Sequence, residues 1–247
     1  MKNTQLLYCI LGLICLQSCQ QGANDSVSPF GNGTGGSMAR FTLGDGYLYT
    51  VGTSTMSIFD IKNTSPQKIK TINLGFGLET IYPYNNMLFI GSNTGMKIFN
   101  NQDPVNPVLL STYTHIKSCD PVVVQDNYAY VTLRNGTLCQ RGVNSLDIVN
   151  ISNPSNPTLV KSIPMKNPHG LAVDGKNLFI CEGSFGLKSF DLSDPVNPVE
   201  KEFLTDVVSY DVIPNQQKLI VTGQNGIYQY DYSDPKALKL LSKIPIE

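Results

Sequence analysis

Residues 167–203 read NPHGLAVDGKNLFICEGSFGLKSFDLSDPVNPVEKEF. Four short strands are expected here, over 170–174, 177–181, 186–191 and 199–203. Turn chemistry separates them: Asp174-Gly175, then Gly183, then Ser193-Asp194-Pro195. A sheet this small has apolar residues on both faces and cannot bury them by itself. It has to lean on copies of itself.

The copies are in the chain. The third strand and the turn after it recur as IFDIKNTSP (58–66), IFNNQDPVNP (98–107), IVNISNPSNP (148–157), SFDLSDPVNP (189–198) and QYDYSDPKAL (229–238). A short acceptor stands at Asp60, Asn100, Asn150, Asp191 and Asp231, at spacings of 40, 50, 41 and 40 residues. Three positions on come Asn63, Asp103, Asn153, Asp194 and Asp234, followed in the last four copies by proline. The chain must reverse tightly here. A short acceptor side chain can bond the free N–H groups of the turn, and proline fixes φ and stops further pairing. The second strands align too: YLYTVG (47–52), MLFIGS (87–92), YAYVTL (128–133), NLFICE (177–182) and KLIVTG (218–223). Four strands repeating at a period near 40 predict an all-β fold, a β-propeller of five four-stranded blades.

This pattern resembles the LVIVD repeat, in the segments LDIVNIS and SFDLSDP, and the resemblance extends over residues 38–247. It implies a propeller and an exported location, and no reaction. The expected blades are 38–75, 76–115, 116–166, 167–205 and 206–247, each running from inner to outer strand. In that phase no strand is left to lace the first blade to the last. Closure is therefore expected from side-chain packing between blades one and five, with residues 27–30 available to help.

Of the 247 residues, 41% are apolar and 15% charged, and the net charge is −1. That argues against nucleic acid as a partner, which demands a basic face. The N-terminus has the marks of an export signal. Residues 6–16 (LLYCILGLICL) form an apolar run too short to span a bilayer, followed by Gln17-Ser18-Cys19. The stretch LQSC resembles the bacterial lipobox. The resemblance implies cleavage after residue 18, lipidation of the Cys19 thiol, and a lipid-anchored protein in the bacterial cell envelope, at the outer membrane. Residues 19–37 would then be a Gly- and Ser-rich tether.

In a propeller the first residues of the inner strands ring the mouth of the axial channel. Aligning the repeats puts Ala39, Glu79, Asp120, His169 and Tyr210 at one equivalent position, with Arg40, Thr80, Pro121, Gly170 and Asp211 next. Polar groups converging on a concave mouth mark a candidate ligand site. The same groups would also serve simply to hydrogen-bond one another and channel water. One histidine and two carboxylates from separate blades are not a metal signature, and neither metal nor cofactor is expected. The third repeat is longer by a loop, LRNGTLCQRGVNS (133–145), whose Arg134 and Arg141 either grip an anionic group or lie in solvent. Cys139 in that loop and Cys119 at the start of the same blade are the candidate disulfide, while Cys181 lies in a strand as a buried thiol. There is no phosphate loop, nucleophile elbow or CxxC pair. The expected function is a non-enzymatic binding or scaffold module for a protein or glycan. The alternative is a glycan-acting hydrolase using Glu79, Asp120 and Asp211.

Overall fold

The computed structural model describes residues 35–114, 121–136, 143–234 and 236–246. In it, all five strand-end acceptors close the same turn. The Oδ1 atoms of Asp60, Asn100, Asn150, Asp191 and Asp231 accept from the amides of Lys62, Gln102, Ser152, Ser193 and Ser233 at 2.7–2.9 Å. The acceptors before the prolines repeat the device. Asp103, Asn153, Asp194 and Asp234 take the amides of Val105, Ser155, Val196 and Lys236 at 3.0–3.1 Å.

These turns punctuate five four-stranded antiparallel meanders. Blade I holds β1 (Phe41–Gly44), β2 (Tyr47–Val51), β3 (Thr55–Asp60) and β4 (Gln67–Asn73). Blade II holds β5 (Leu78–Tyr84), β6 (Met87–Ser92), β7 (Gly95–Asn100) and β8 (Val108–Thr114). Blade III holds β9 (Val122–Gln125), β10 (Tyr128–Leu133), β11 (Ser145–Asn150) and β12 (Thr158–Pro164). Blade IV holds β13 (Leu171–Asp174), β14 (Asn177–Cys181), β15 (Leu187–Asp191) and β16 (Val199–Leu204). Blade V holds β17 (Ser209–Asn215), β18 (Lys218–Gly223), β19 (Gly226–Asp231) and β20 (Lys239–Ile244). Each blade carries a register shift between its third and fourth strands at the same place: after Ile58, Ile98, Ile148, Ser189 and Gln229. A bulge adds local twist, so five registered bulges give the outer strands one common curl.

Successive blades stack face to face. Tyr49, Phe89, Tyr130 and Phe179 hold the same place on the second strand, and each is at most 1% exposed. The Tyr49 hydroxyl donates to the Pro104 carbonyl of blade II, and the Tyr130 hydroxyl to Pro195 of blade IV, both at 3.1 Å. Phe179 meets the Tyr232 ring edge-on at 5.0 Å. Buried apolar clusters join blades I to II, II to III, III to IV and IV to V.

The seam between blades V and I departs from the expectation. Among the described residues no buried apolar cluster joins them. Ile220, which takes the place of Tyr49 and Phe179, is 37% exposed, and Ile227 is 41% exposed where Met56, Met96, Leu146 and Leu187 are fully buried. On the facing blade Phe41 is 55% exposed. Among the described residues, packing between blades one and five therefore does not close the ring. The bridge lies at the centre instead, where Ser37, ahead of blade I, bonds to blades IV and V. Residues 27–30 lie outside the described residues. The packing difference predicts that Phe179→Ala costs about 3–5 kcal/mol, whereas Ile220→Ala costs less than about 1 kcal/mol, measured by urea denaturation. Equal costs at the two positions would mean that the seam is packed in solution.

Candidate functional site

The loops between second and third strands and those leading into the next blade share one end of the blades. Backbone irregularity positions the side chains there. The β5–β6 ladder skips from Leu78 to Thr80, and the β17–β18 ladder from Ser209 to Asp211. Glu79 and Tyr210, equivalent in the repeat, are thus the extra residues of two bulges, which aim them out of the ladder.

His169 stands beside Tyr210, with ring centroids 5.5 Å apart and planes tilted by 49°. Its amide donates to the Cys181 carbonyl at 2.7 Å, its own carbonyl accepts the Thr132 hydroxyl at 2.6 Å, and Asn167 Nδ2 lies 3.3 Å from Nε2. Burial, and then the Arg134 guanidinium nearby, push the imidazole down to about 4, so at neutral pH it is uncharged. Arg40 pairs with no carboxylate in its two hydrogen bonds. Its guanidinium donates to the backbone carbonyls of Leu78 at 2.8 Å and Glu79 at 3.1 Å, lacing blade I to blade II.

Asp211 is partly buried against backbone. Its Oδ1 accepts the Ser37 hydroxyl at 3.3 Å and the Val212 amide at 3.0 Å, and the Met38 amide also donates to the carboxylate. The Ser37 hydroxyl oxygen in turn accepts the Leu171 amide at 2.8 Å. A Cβ on Gly36 would come within 2.0 Å of one carboxylate oxygen, and a Cβ on Gly170 within 2.1 Å of the other. Only glycine permits this approach. Burial pushes the carboxyl up to about 6. The expected rim acid is thus partly buried and bonded to the residues just ahead of blade I, between blades IV and V.

Asp120, Arg141, His115 and the Cys119–Cys139 pair lie outside the described residues, as does Cys19. Cys181 is a fully buried thiol, which burial pushes upward. Among the described residues no group of three His, Cys, Asp or Glu side chains is placed to hold a metal ion. Two features, Glu182 and the exposed Phe76 and Phe185 that accompany the expected Tyr210, went unread in the sequence. Glu182, at the end of β14, is fully buried; it accepts the Asn167 amide at 2.7 Å and the Lys166 amide at 3.1 Å, and pairs with Lys188 at 3.5 Å. The second is aromatic. Phe76, between Gly75 and Gly77, is 87% exposed, Phe185 44% and Tyr210 38%, all at the rim end. The Lys166 ammonium lies 5.3 Å from the Phe185 and Phe203 ring centres. An aromatic flanked by two glycines in a loop was the signal available.

The two shifted groups act on stability in opposite senses. Asp211 binds its proton near pH 6 when folded and near 3.8 when unfolded; its contribution therefore falls as pH rises through that window. His169 binds near pH 4 when folded and near 6.5 when unfolded; its contribution rises over the same range. Asp211→Asn is expected to steepen the rise of stability between pH 4 and 6 and to stabilise the protein at pH 7, by about 1–3 kcal/mol. His169→Gln is expected to reverse the slope. Urea denaturation across a pH series reads both, and parallel curves for the variants and the parent would refute the assignment.

Residues 117–164 match the model of the LVIVD repeat family, a span that contains blade III. No curated protein matches the chain. Solved structures share its fold. A computationally designed protein is 11% identical, with a TM-score of 0.60 over 83% of this chain and 60% of its own. The AztD protein of Citrobacter koseri is 14% identical, with a TM-score of 0.58 over 79% of this chain and 58% of its own. The periplasmic gluconolactonase of Pseudomonas aeruginosa is 10% identical, with a TM-score of 0.62 over 81% of this chain and 67% of its own. The chain spans about three-fifths of the length of the first of these structures, and at such identities the likeness is one of fold. With five four-stranded sheets in sequence and the repeat matched over the third, the chain is a five-bladed β-propeller that carries an LVIVD repeat.

Proposed function

We propose that this protein is an exported lipoprotein, held at the bacterial outer membrane through Cys19, whose propeller is a non-enzymatic binding module for a protein or a glycan. The observation that carries the reading is the aromatic rim. Phe76, Phe185 and Tyr210 are exposed at the rim end of the blades, Tyr210 beside the uncharged His169. Exposed aromatics on a rigid frame offer large contact area at little entropic cost, to apolar side chains and to the C–H faces of sugars alike. A net charge of −1 adds no field for or against either partner.

The hydrolase reading draws on Asp211, whose carboxyl at about 6 lies in the range of a general acid. Its surroundings speak against that role. Ser37, Met38 and Val212 already hydrogen-bond its carboxylate, and Gly36 and Gly170 press against its oxygens.

The test uses the full chain in native membranes and a panel of envelope glycans and proteins. Binding without turnover is expected, weakened at least about tenfold by Phe76→Ser, Phe185→Ser and Tyr210→Ala together. Fatty-acid labelling is expected to vanish in Cys19→Ala. Release of cleaved product would favour the hydrolase, binding indifferent to the triple variant would remove the rim from the account, and a labelled Cys19→Ala protein would refute the anchor.

A further inference from the structure

Blade IV departs from the other blades at the rim end, and its departures touch one another. Its second strand leads into Glu182 where the other blades have Gly52, Ser92, Leu133 and Gly223. The turn that follows, Gly183-Ser184-Phe185 ahead of Gly186, is one residue longer than the turns of blades I, II and V. The other blades fold without either feature, so neither is a demand of the blade itself.

The fully buried Glu182 carboxylate fixes the segment that enters blade IV, accepting the amides of Lys166 and Asn167 at 3.1 and 2.7 Å. A carboxylate is costly to bury unless it is bonded and paired. The pair here is Lys188, 3.5 Å from Glu182 and 3.0 Å from Glu200. The longer turn packs on the same segment. A Cβ on Gly183, whose φ is +58°, would come within 2.5 Å of Asn167 Nδ2 and 2.8 Å of His169 Nε2. The Gly183 carbonyl accepts the Ser209 amide, next to Tyr210, at 3.1 Å.

Lys166 is the group left over. It is exposed, and its ammonium lies 5.3 Å from the ring centres of both Phe185 and Phe203. Lys188 is committed to two carboxylates, whereas Lys166 makes no ion pair with the described residues. A lysine ordinarily gives up rotamer freedom when it grips a ligand. Here the two rings and the pinned backbone hold it beforehand, which lowers that cost. Beside it Phe185 is 44% exposed.

These two side chains narrow the ligand. One uncommitted ammonium matches one negative charge, and an exposed ring next to it matches an apolar C–H face. A hexuronic acid carries both on a single rigid ring. An acidic peptide carries its charge on a flexible stem and brings no flat face to Phe185.

We infer that the blade IV end of the rim recognises a carboxylate-bearing sugar ring, with the carboxylate on the Lys166 ammonium and the C–H face on Phe185. This rests on the rim being the binding surface proposed above, and it narrows the ligand of that surface to acidic glycans.

The experiment is titration calorimetry and saturation-transfer NMR of the purified full chain against glucuronate and galacturonate, their neutral parents glucose and galactose, and a glutamate-rich peptide as the competing carboxylate. The uronates are expected to bind about fivefold tighter than the neutral sugars at low salt, with the difference lost at about 0.5 M salt. Lys166→Gln should erase the difference and Lys166→Arg should keep it. Lys176→Gln, in the exposed turn at the opposite end of the same blade, should leave it unchanged. The salt dependence reads the same charge without a substitution, which keeps the test open if Lys166→Gln proves unstable. The inference is overturned by uronates that bind no tighter than neutral sugars, by a preference that survives Lys166→Gln in a folded protein, or by binding of the peptide in place of the uronates. Neutral sugars or the peptide binding at the rim without that preference would leave the binding module standing and remove only the acidic ligand. No binding of any of them, nor of the envelope panel, would remove both.

Discussion

Each blade of this protein is a four-stranded sheet with apolar side chains on both faces, and only a neighbouring blade can cover them. The second-strand residues show the consequence. Phe89, Tyr130 and Phe179 vanish against the next blade, and so does Tyr49, while Ile220 at the same place in blade V remains 37% exposed. The three interior blades are covered on both faces and the two terminal ones on one. Stability is then carried largely by nearest-neighbour interfaces, as in other repeat architectures.

The centre of the molecule follows from the same constraint. Where blades V and I do not pack, the residues just ahead of blade I cross to blades IV and V, and Ser37 bonds Leu171 and Asp211. Holding a carboxylate there requires glycine on both sides of it and leaves the acid reluctant to ionise. The inner strands are stitched in the same region by Arg40 to the carbonyls of blade II and by Thr132 to the carbonyl of His169. Polar groups at this end of the blades thus hold the inner strands together.

Much of this was legible in the sequence because it is local and repeated. The strand-end acceptors spaced 40 to 50 residues apart close the turns that their chemistry requires, and the strands of blade IV fall within one residue of where the turn signals place them. The alignment of repeats also put Glu79 and Tyr210 at one position, and both prove to be bulge residues. What was not legible depends on contacts distant in sequence. Ser37 and Asp211 are 174 residues apart, and nothing local marks a serine in a glycine-rich stretch as a buried bond-maker. Glu182 reads as the polar end of an apolar strand, yet its carboxylate organises the two amides of Lys166 and Asn167. The open seam rests on contacts between the first and last blades, which no spacing of residues encodes.

The central claim is that neighbour packing, covered on both faces inside and on one face at the ends, sets the stability of each blade. Native-state hydrogen exchange, resolved by blade, measures this directly. The account predicts that amides of β6, β10 and β14 exchange only through global unfolding, while those of β2 and β18 exchange through cheaper partial openings. Equal protection in all five second strands would contradict it.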